Sequence, residues 1–403
     1  MKLGRRSLLK SLGLAGLAGS WLPWRRAEAA GSKRNIYQDL GIRPVLNFRG
    51  TVTAIGASKE WPELHEAMSE AARHFVVLDE LQDKIGERLA RLLGSEDAMV
   101  TTGAAGAITL GTCASLTGSD GEKIRRLPDL RGMKTEVVIQ KVHRNDYDHA
   151  VRNTGVKLIE VESKEQMLNA VGPQTAMMFY LGGSTGDWAW ETPVPLDECL
   201  GIARKAGFPV MVDAANMLPP WDNLRKLAAL GTDLICISGG KHLRGPQCSG
   251  ILAGRKDLIH AARLNSNPHS NSLGRPLKVG REEMVGVYLA AEKYARLDFA
   301  ALERQSFEQA EFLSRELRKI PGMEVSYEPH DRTRRVHRVV ARWNEAARRL
   351  TAKECERRLM EGEPRIAALT HKAGGLLFTV FMNEPGDEKH LARRMREIFE
   401  ARG

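Results

Sequence analysis

Two short apolar runs, 209–212 and 234–237, lead into Asp213 and Lys241, and one helix-length stretch lies between them. A bounded apolar, β-branched run suits a strand buried on both faces, and neighbouring parallel strands need a crossover, usually helical. The stretch 223–230, stopped by Gly231, supplies it. Asp213 and Lys241, 28 residues apart, are therefore expected at the carboxyl edge of one sheet, where α/β proteins place ligands.

The glycine pair in Ser238-Gly239-Gly240-Lys241 permits backbone conformations closed to other residues. A lysine beside apolar walls and further cations, here His242 and Arg244, loses its proton more readily, and a neutral amine attacks carbonyl groups. Taken alone, Gly-Gly-Lys also fits an anion-binding or solvated turn. A strand-end aspartate can hold a pyridinium N–H, although the same residue type also binds metals and caps helices. Aspartate, helix and Gly-Gly-Lys stand here in the order that a Schiff-base lysine with a ring-nitrogen partner requires.

Upstream, 98–102 reads as a strand, 103–106 as a turn and 107–116 as a helix of mostly small residues. Small side chains at a helix start let a phosphate reach unpaired N–H groups, with Thr101 and Thr102 as added donors. Tight helix-strand packing produces the same composition, and neither the P-loop nor the dinucleotide glycine pattern is matched. A strand over 136–140 is followed by His143, placed to stack on an aromatic ring or to move a proton, unless it and His149 lie on a solvated helix start. Strands are expected at 156–161, 175–181 and 248–254, and a helix at 196–206.

The 403 residues suffice for a large domain and a smaller one. The chain divides into residues 1–30, a leader; 31–94, an N-terminal segment; 95–300, a large α/β domain; and 301–403, a small α+β domain. The small domain carries strands at 323–327, 336–343, 365–369 and 376–382 and helices at 351–360 and 387–402. Arg334, Arg335 and Arg338 lie on or near these strands, where one of them could bind a substrate carboxylate and where a solvated basic edge is the plainer account.

A formal charge of +10 invites a nucleic-acid partner, yet residues 1–30 hold a net +5 of it, leaving a mild balance elsewhere. Arg5-Arg6-Ser7-Leu8-Leu9-Lys10, a weakly apolar run and the small-x-small Ala27-Glu28-Ala29 resemble a twin-arginine signal, implying export of the folded protein to the periplasm. The protein would stay cytoplasmic if the signal is not used. Cys113, Cys199, Cys236, Cys248 and Cys355 show no metal-ligand spacing and no disulfide framework; they read as buried small hydrophobes, and no metal is expected.

Asn47-Phe-Arg-Gly-Thr51, Thr102-Gly-Ala-Ala105, Val210-Met-Val-Asp213 and the run from Ser238 to Gln247 together resemble the selenocysteine synthase (L-seryl-tRNA selenium transferase)-like family of fold-type-I pyridoxal-phosphate enzymes. The resemblance implies an α/β fold of the aspartate aminotransferase type, with a large, mainly parallel sheet domain and a smaller α+β C-terminal domain. It implies pyridoxal 5'-phosphate as cofactor, with Lys241 forming the internal aldimine and Asp213 pairing with the ring nitrogen. Thr102, Gly103 and Ala104 would hold the phosphate, with help from Ser238, and His143 would face the ring. It also implies a homodimer or higher homo-oligomer in which Arg49, Arg275 or Lys278 reaches phosphate or substrate, with Arg335 a further substrate-binding candidate.

Selenocysteine synthases carry an extra N-terminal domain that handles tRNA, whereas here only residues 31–101 separate the leader from the phosphate turn, and an exported enzyme would not meet charged tRNA. The expected activity is therefore that of the shorter relatives: a lyase catalysing α,β-elimination on a small amino acid or amino-sugar acid, of the D-glucosaminate-6-phosphate ammonia-lyase type. Selenium transfer to seryl-tRNA, transamination, aldol cleavage and a cofactor-retaining binding protein are the alternatives.

Overall fold

The computed structural model describes residues 35–183, 192–328 and 336–400. The described residues 35–44 belong to a unit of their own and include the helix Ile36–Asp39, capped by the Asn35 side chain. Residues from Val45 onward form one compact body.

Its strands are β1 (Val45–Asn47), β2 (Asp97–Thr102), β3 (Glu136–Gln140), β4 (Lys157–Val161), β5 (Thr175–Leu181), β6 (Val210–Asp213), β7 (Leu234–Ser238), β8 (Ser249–Gly254), β9 (Glu324–Tyr327), β10 (Arg338–Arg342), β11 (Arg365–Ala367), β12 (Leu369–Thr370) and β13 (Leu376–Thr379). Seven build one sheet in the order β2-β8-β7-β6-β5-β3-β4, parallel throughout except for β8, which runs antiparallel to both neighbours. The expected mainly parallel α/β sheet is thus the one observed.

Alternate residues of these strands enter two separate cores, as a pleat buried on both faces requires. Val138, Met178, Val212 and Ile237 pack with the helices Leu78–Leu93, Leu196–Ala206 and Arg281–Tyr294. Val137, Met177, Met211 and Cys236 pack with Gly103–Thr117 and Lys256–Leu264. The helix Gly103–Thr117 begins earlier than the expected 107, so the small residues 103–106 form its first turn rather than a separate loop.

The C-terminal strands form an antiparallel sheet in the order β12-β13-β10-β9, over a third core that takes in the helices Phe299–Leu317, Ala352–Glu361 and Asp387–Glu400. Here the structure adds what local patterning does not show. β1 pairs in parallel with β11, Phe48 is fully buried in the C-terminal core, and the Phe48 carbonyl accepts the Thr379 N–H at 2.8 Å. The extended piece before Arg49 is thereby built into the C-terminal sheets, and its register fixes where Arg49 emerges.

Candidate active site

Four functional segments meet because β2, β3, β6 and β7 all point their carboxyl ends the same way. Thr102 ends β2, His143 follows β3, Asp213 ends β6, and Ser238 ends β7 three residues before Lys241. A cavity of about 850 Å³ opens at this edge, and Thr102, Gly103, Ala104, Asp213, Ser238 and Lys241 all line it. Asp213 and Lys241 are close enough for the lysine charge to act on the carboxyl.

The two glycines before Lys241 are dictated by close approach. A Cβ on Gly239 would sit 2.2 Å from Ser249 Oγ, and one on Gly240 would sit 2.5 Å from Gln247 Cα. The turn folds back on itself, Gly245 N–H donating to the Gly239 carbonyl at 2.9 Å and Arg244 N–H to the Lys241 carbonyl at 3.0 Å. Only residues without side chains let it pack this tightly against 247–249. Arg244, expected beside Lys241 as a second cation, does not line the cavity; its Nε donates to the Lys59 carbonyl at 2.8 Å.

Asp213 is buried, and burial holds its carboxyl above the usual carboxylate range, partly offset by the Ala215 N–H, 2.9 Å from Oδ1, and by Lys241. A buried carboxylate in this condition gains most from a positively charged N–H donor presented across the cavity. The Thr102 hydroxyl oxygen and Arg49 Nε are both buried without a hydrogen-bond partner among the described residues, and both residues line the cavity. These two unsatisfied donors, with the start of the helix Gly103–Thr117, suit an anion bound at one end of the cavity. The donors, carboxylate and primary amine fit a phosphorylated pyridine aldehyde.

His143 does not line the cavity, and it is not on a solvated helix start either. It is completely buried, edge-on to Tyr180 with ring centroids 4.4 Å apart, and burial pushes its pKa down to about 4. Its ring is therefore neutral at neutral pH. The unfolded chain takes up a proton below its ordinary value of 6.5, whereas the folded chain resists until about 4. The stability this confers is complete above 6.5 and is lost as pH falls through that window, by about 3 kcal/mol in total. His143→Gln is expected to flatten this part of the profile, which urea titrations at stepped pH would measure; an unchanged slope would show that the ring titrates normally.

The remaining candidates separate. Arg275, whose Nη1 approaches Asn267 Oδ1 at 3.4 Å, and the exposed Lys278 do not line this chain's cavity. Arg334 and Arg335 lie outside the described residues. Arg338 lines the cavity and is buried; it is paired across the ladder with Thr379, whose backbone N–H holds the residue preceding Arg49. Arg49 and Arg338 therefore belong to one wall. Residue patterning did not single out Tyr147 as part of the site. It lines the cavity on a loop stiffened by Asn145, which accepts the Tyr147 N–H at 2.8 Å, and by the buried Asp148, held by Arg144 and Arg152. The Asn145 to Asp148 capping-box spacing is the one local sign of that stiffening. None of the five cysteines is in a disulfide, and Cys248, unlike the other four, is exposed and lines the cavity.

The family model for L-seryl-tRNA selenium transferase (SelA) matches residues 45–328. The chain belongs to that family. The match spans both strand ends, the lysine turn and the Arg49 segment, and the family is one of fold-type-I pyridoxal-phosphate enzymes. Among its relatives, a Streptomyces 5'-C-glycyluridine monooxygenase-decarboxylase is 32% identical, over 91% of this chain and 93% of that protein. The D-glucosaminate-6-phosphate ammonia lyase of Salmonella typhimurium is 31% identical, over 91% of this chain and 98% of that protein. A solved D-glucosaminate-6-phosphate ammonia-lyase structure superposes with a TM-score of 0.79 at 29% identity, covering 92% of this chain and 99% of the other. Against the L-seryl-tRNA(Sec) selenium transferase of Rhizobium meliloti the identity is 27%, over 66% of this chain and 61% of that protein. A serine palmitoyltransferase structure, at a TM-score of 0.58 and 13% identity, shares the fold.

Proposed function

We propose that this chain is a pyridoxal-phosphate-dependent lyase that catalyses α,β-elimination on a small amino acid or amino-sugar acid and releases ammonia. One observation carries the reading: Asp213 and Lys241, from neighbouring strands, face a single cavity whose other end offers the Thr102 hydroxyl and Arg49. The full-length likeness to an ammonia lyase supports it.

Bound there, pyridoxal phosphate supplies a protonated ring that accepts the negative charge left at a substrate α-carbon. Thr102, Gly103 and Ala104 hold its phosphate, and Ser238 stands at the same edge. Asp213 keeps a proton on the ring nitrogen. Lys241 would hold the cofactor by its aldehyde carbon, and its freed amine would be the group that takes the substrate α-proton. Arg338, on the wall that also carries Arg49, would hold the anionic end of the substrate. For a β-hydroxy substrate, loss of the α-proton and the hydroxyl, followed by uptake of one water, gives ammonia and a 2-keto acid. His143 is buried against Tyr180 and off the cavity lining, with a neutral imidazole.

A panel of amino acids and amino-sugar acids, with and without a terminal phosphate, assayed for ammonia and 2-keto acid, is the test. Release from at least one hydroxylated member is the expected result. A protein that binds the cofactor at Lys241 yet releases nothing from any member would instead be a binding protein, and charging of seryl-tRNA with selenium would move it to the transferases.

The reading extends to assembly and location. Phe75 is 99% exposed and Val77 beside it 65%, surface that a second copy of the chain would cover, and sedimentation of a monomer would count against this. The twin-arginine pattern at Arg5-Arg6 lies outside the described residues; it supports export by the twin-arginine machinery to the periplasm, which cell fractionation would check.

A further inference from the structure

The turn that carries Lys241 is held from outside the strand-helix units that build it. Ser58 Oγ donates to the Gly240 carbonyl at 2.7 Å, immediately before the lysine. Trp61 Nε1 donates to the Leu243 carbonyl at 2.9 Å, and the Trp61 N–H donates to the Arg244 carbonyl at 3.1 Å. Arg244 returns the contact: its Nε donates to the Lys59 carbonyl, and its guanidinium carbon lies 4.0 Å from the Trp61 ring centroid. Lys293 Nζ lies 4.3 Å from the same centroid. Four hydrogen bonds and one cation–ring contact thus join the short stretch 58–61 to the five residues 240–244, and Lys293, on the helix Arg281–Tyr294, braces the same ring.

Arg244 also holds a left-handed backbone, φ 57°, which is uncommon for a residue with a side chain. Such a conformation persists where its surroundings over-determine it, and the Trp61 contacts are those surroundings. The Gly240 carbonyl, immediately before Lys241, and the Leu243 carbonyl, two residues after it, are both tied to this one segment, and the Lys241 carbonyl accepts the Arg244 N–H within the turn, so the backbone around the lysine has little freedom to rotate.

We propose that the stretch 58–61, with Trp61 as its anchor, is the positioning device for Lys241: it sets the direction of the lysine side chain toward the cavity without touching substrate or cofactor. The Trp61 ring packs against the large-domain core, so the clamp is braced by the scaffold. Preorganising a reactive amine in this way lowers the cost of bringing it to a carbonyl. The inference rests on the reading that Lys241 binds the cofactor aldehyde.

The test is a double-mutant cycle read as pyridoxal-phosphate affinity, by equilibrium dialysis, not as turnover. Trp61→Ala is expected to weaken cofactor retention about tenfold where Lys241 is present and less than about twofold in the Lys241→Ala background, because Trp61 acts only through the lysine. Trp61→Phe, which keeps the ring and loses the N–H, is expected to fall between, at about fivefold. Should Trp61→Ala not fold, the Phe variant runs the same cycle. Equal weakening with and without Lys241, or none in either, would overturn the positioning role. A wild-type protein that forms no borohydride-stable adduct at Lys241 would instead bring down the cofactor reading itself, so the two failures are told apart.

Discussion

Lys241→Ala is expected to lower turnover by about 10,000-fold while leaving the fold intact, since two roles, covalent holding of the cofactor and removal of the α-proton, fall on one amine. The side chain lies at the cavity, after a glycine pair with no room for side chains, and among the described residues no other lining residue offers a primary amine. Borohydride reduction followed by peptide mass analysis should find the label on Lys241 in the wild type and nowhere in the variant. Lys241→Arg keeps the charge but not the nucleophile, and it should be as inactive as the alanine variant. Recovery of activity in Lys241→Arg would mean that the position contributes charge alone, as in an anion-binding turn. Partial rescue of Lys241→Ala by a small added amine, with no rescue of the arginine variant, is the pattern that a proton-transfer role produces.

That such a test can be named from 403 letters reflects how local the decisive signals are. The helix Leu196–Ala206 and the strand Thr175–Leu181 lie where hydrophobic periodicity puts them, because each is set by its own residues and ended by its own glycine or turn. The aspartate at the end of β6 and the glycines after β7 are likewise read within a few residues of the chemistry. Contacts between distant segments escape this kind of reading. Val45 pairs with Arg365, and nothing in either tripeptide announces the other, so the seating of Arg49 on the wall that holds Arg338 emerges only from the fold. The same holds for Ser58 and Trp61 on the lysine turn, and for His143, whose complete burial against Tyr180 depends on how two strands stand side by side. Arg244 shows the converse error: adjacency in sequence suggested a cation beside Lys241, but the left-handed turn carries its guanidinium to Trp61 instead.

Asp213→Asn should separate stability from activity, with opposite signs. In the cofactor-free protein, burial holds the Asp213 carboxyl above its unfolded value, so the native state favours the protonated form. That contribution is fully present below the unfolded pKa and disappears as pH rises through the folded one. At neutral pH, above the unfolded value, burying this carboxyl is therefore a burden on the apoprotein, and the neutral asparagine, nearly the same size and still able to accept the Ala215 N–H, should stabilise it by about 1 kcal/mol. Thermal melts of apoprotein at pH 7 should show the variant above the wild type, with the gap closing as pH is lowered. The holoenzyme should reverse the order: an amide cannot keep a proton on the ring nitrogen, and removing a preorganised charge from the reacting system costs about 100- to 1000-fold in turnover. A variant that is more stable without cofactor and less active with it would fit a carboxylate retained for the ring alone. If apo stability and turnover both fell, Asp213 would be serving the fold, through its bond to Ala215, rather than the chemistry.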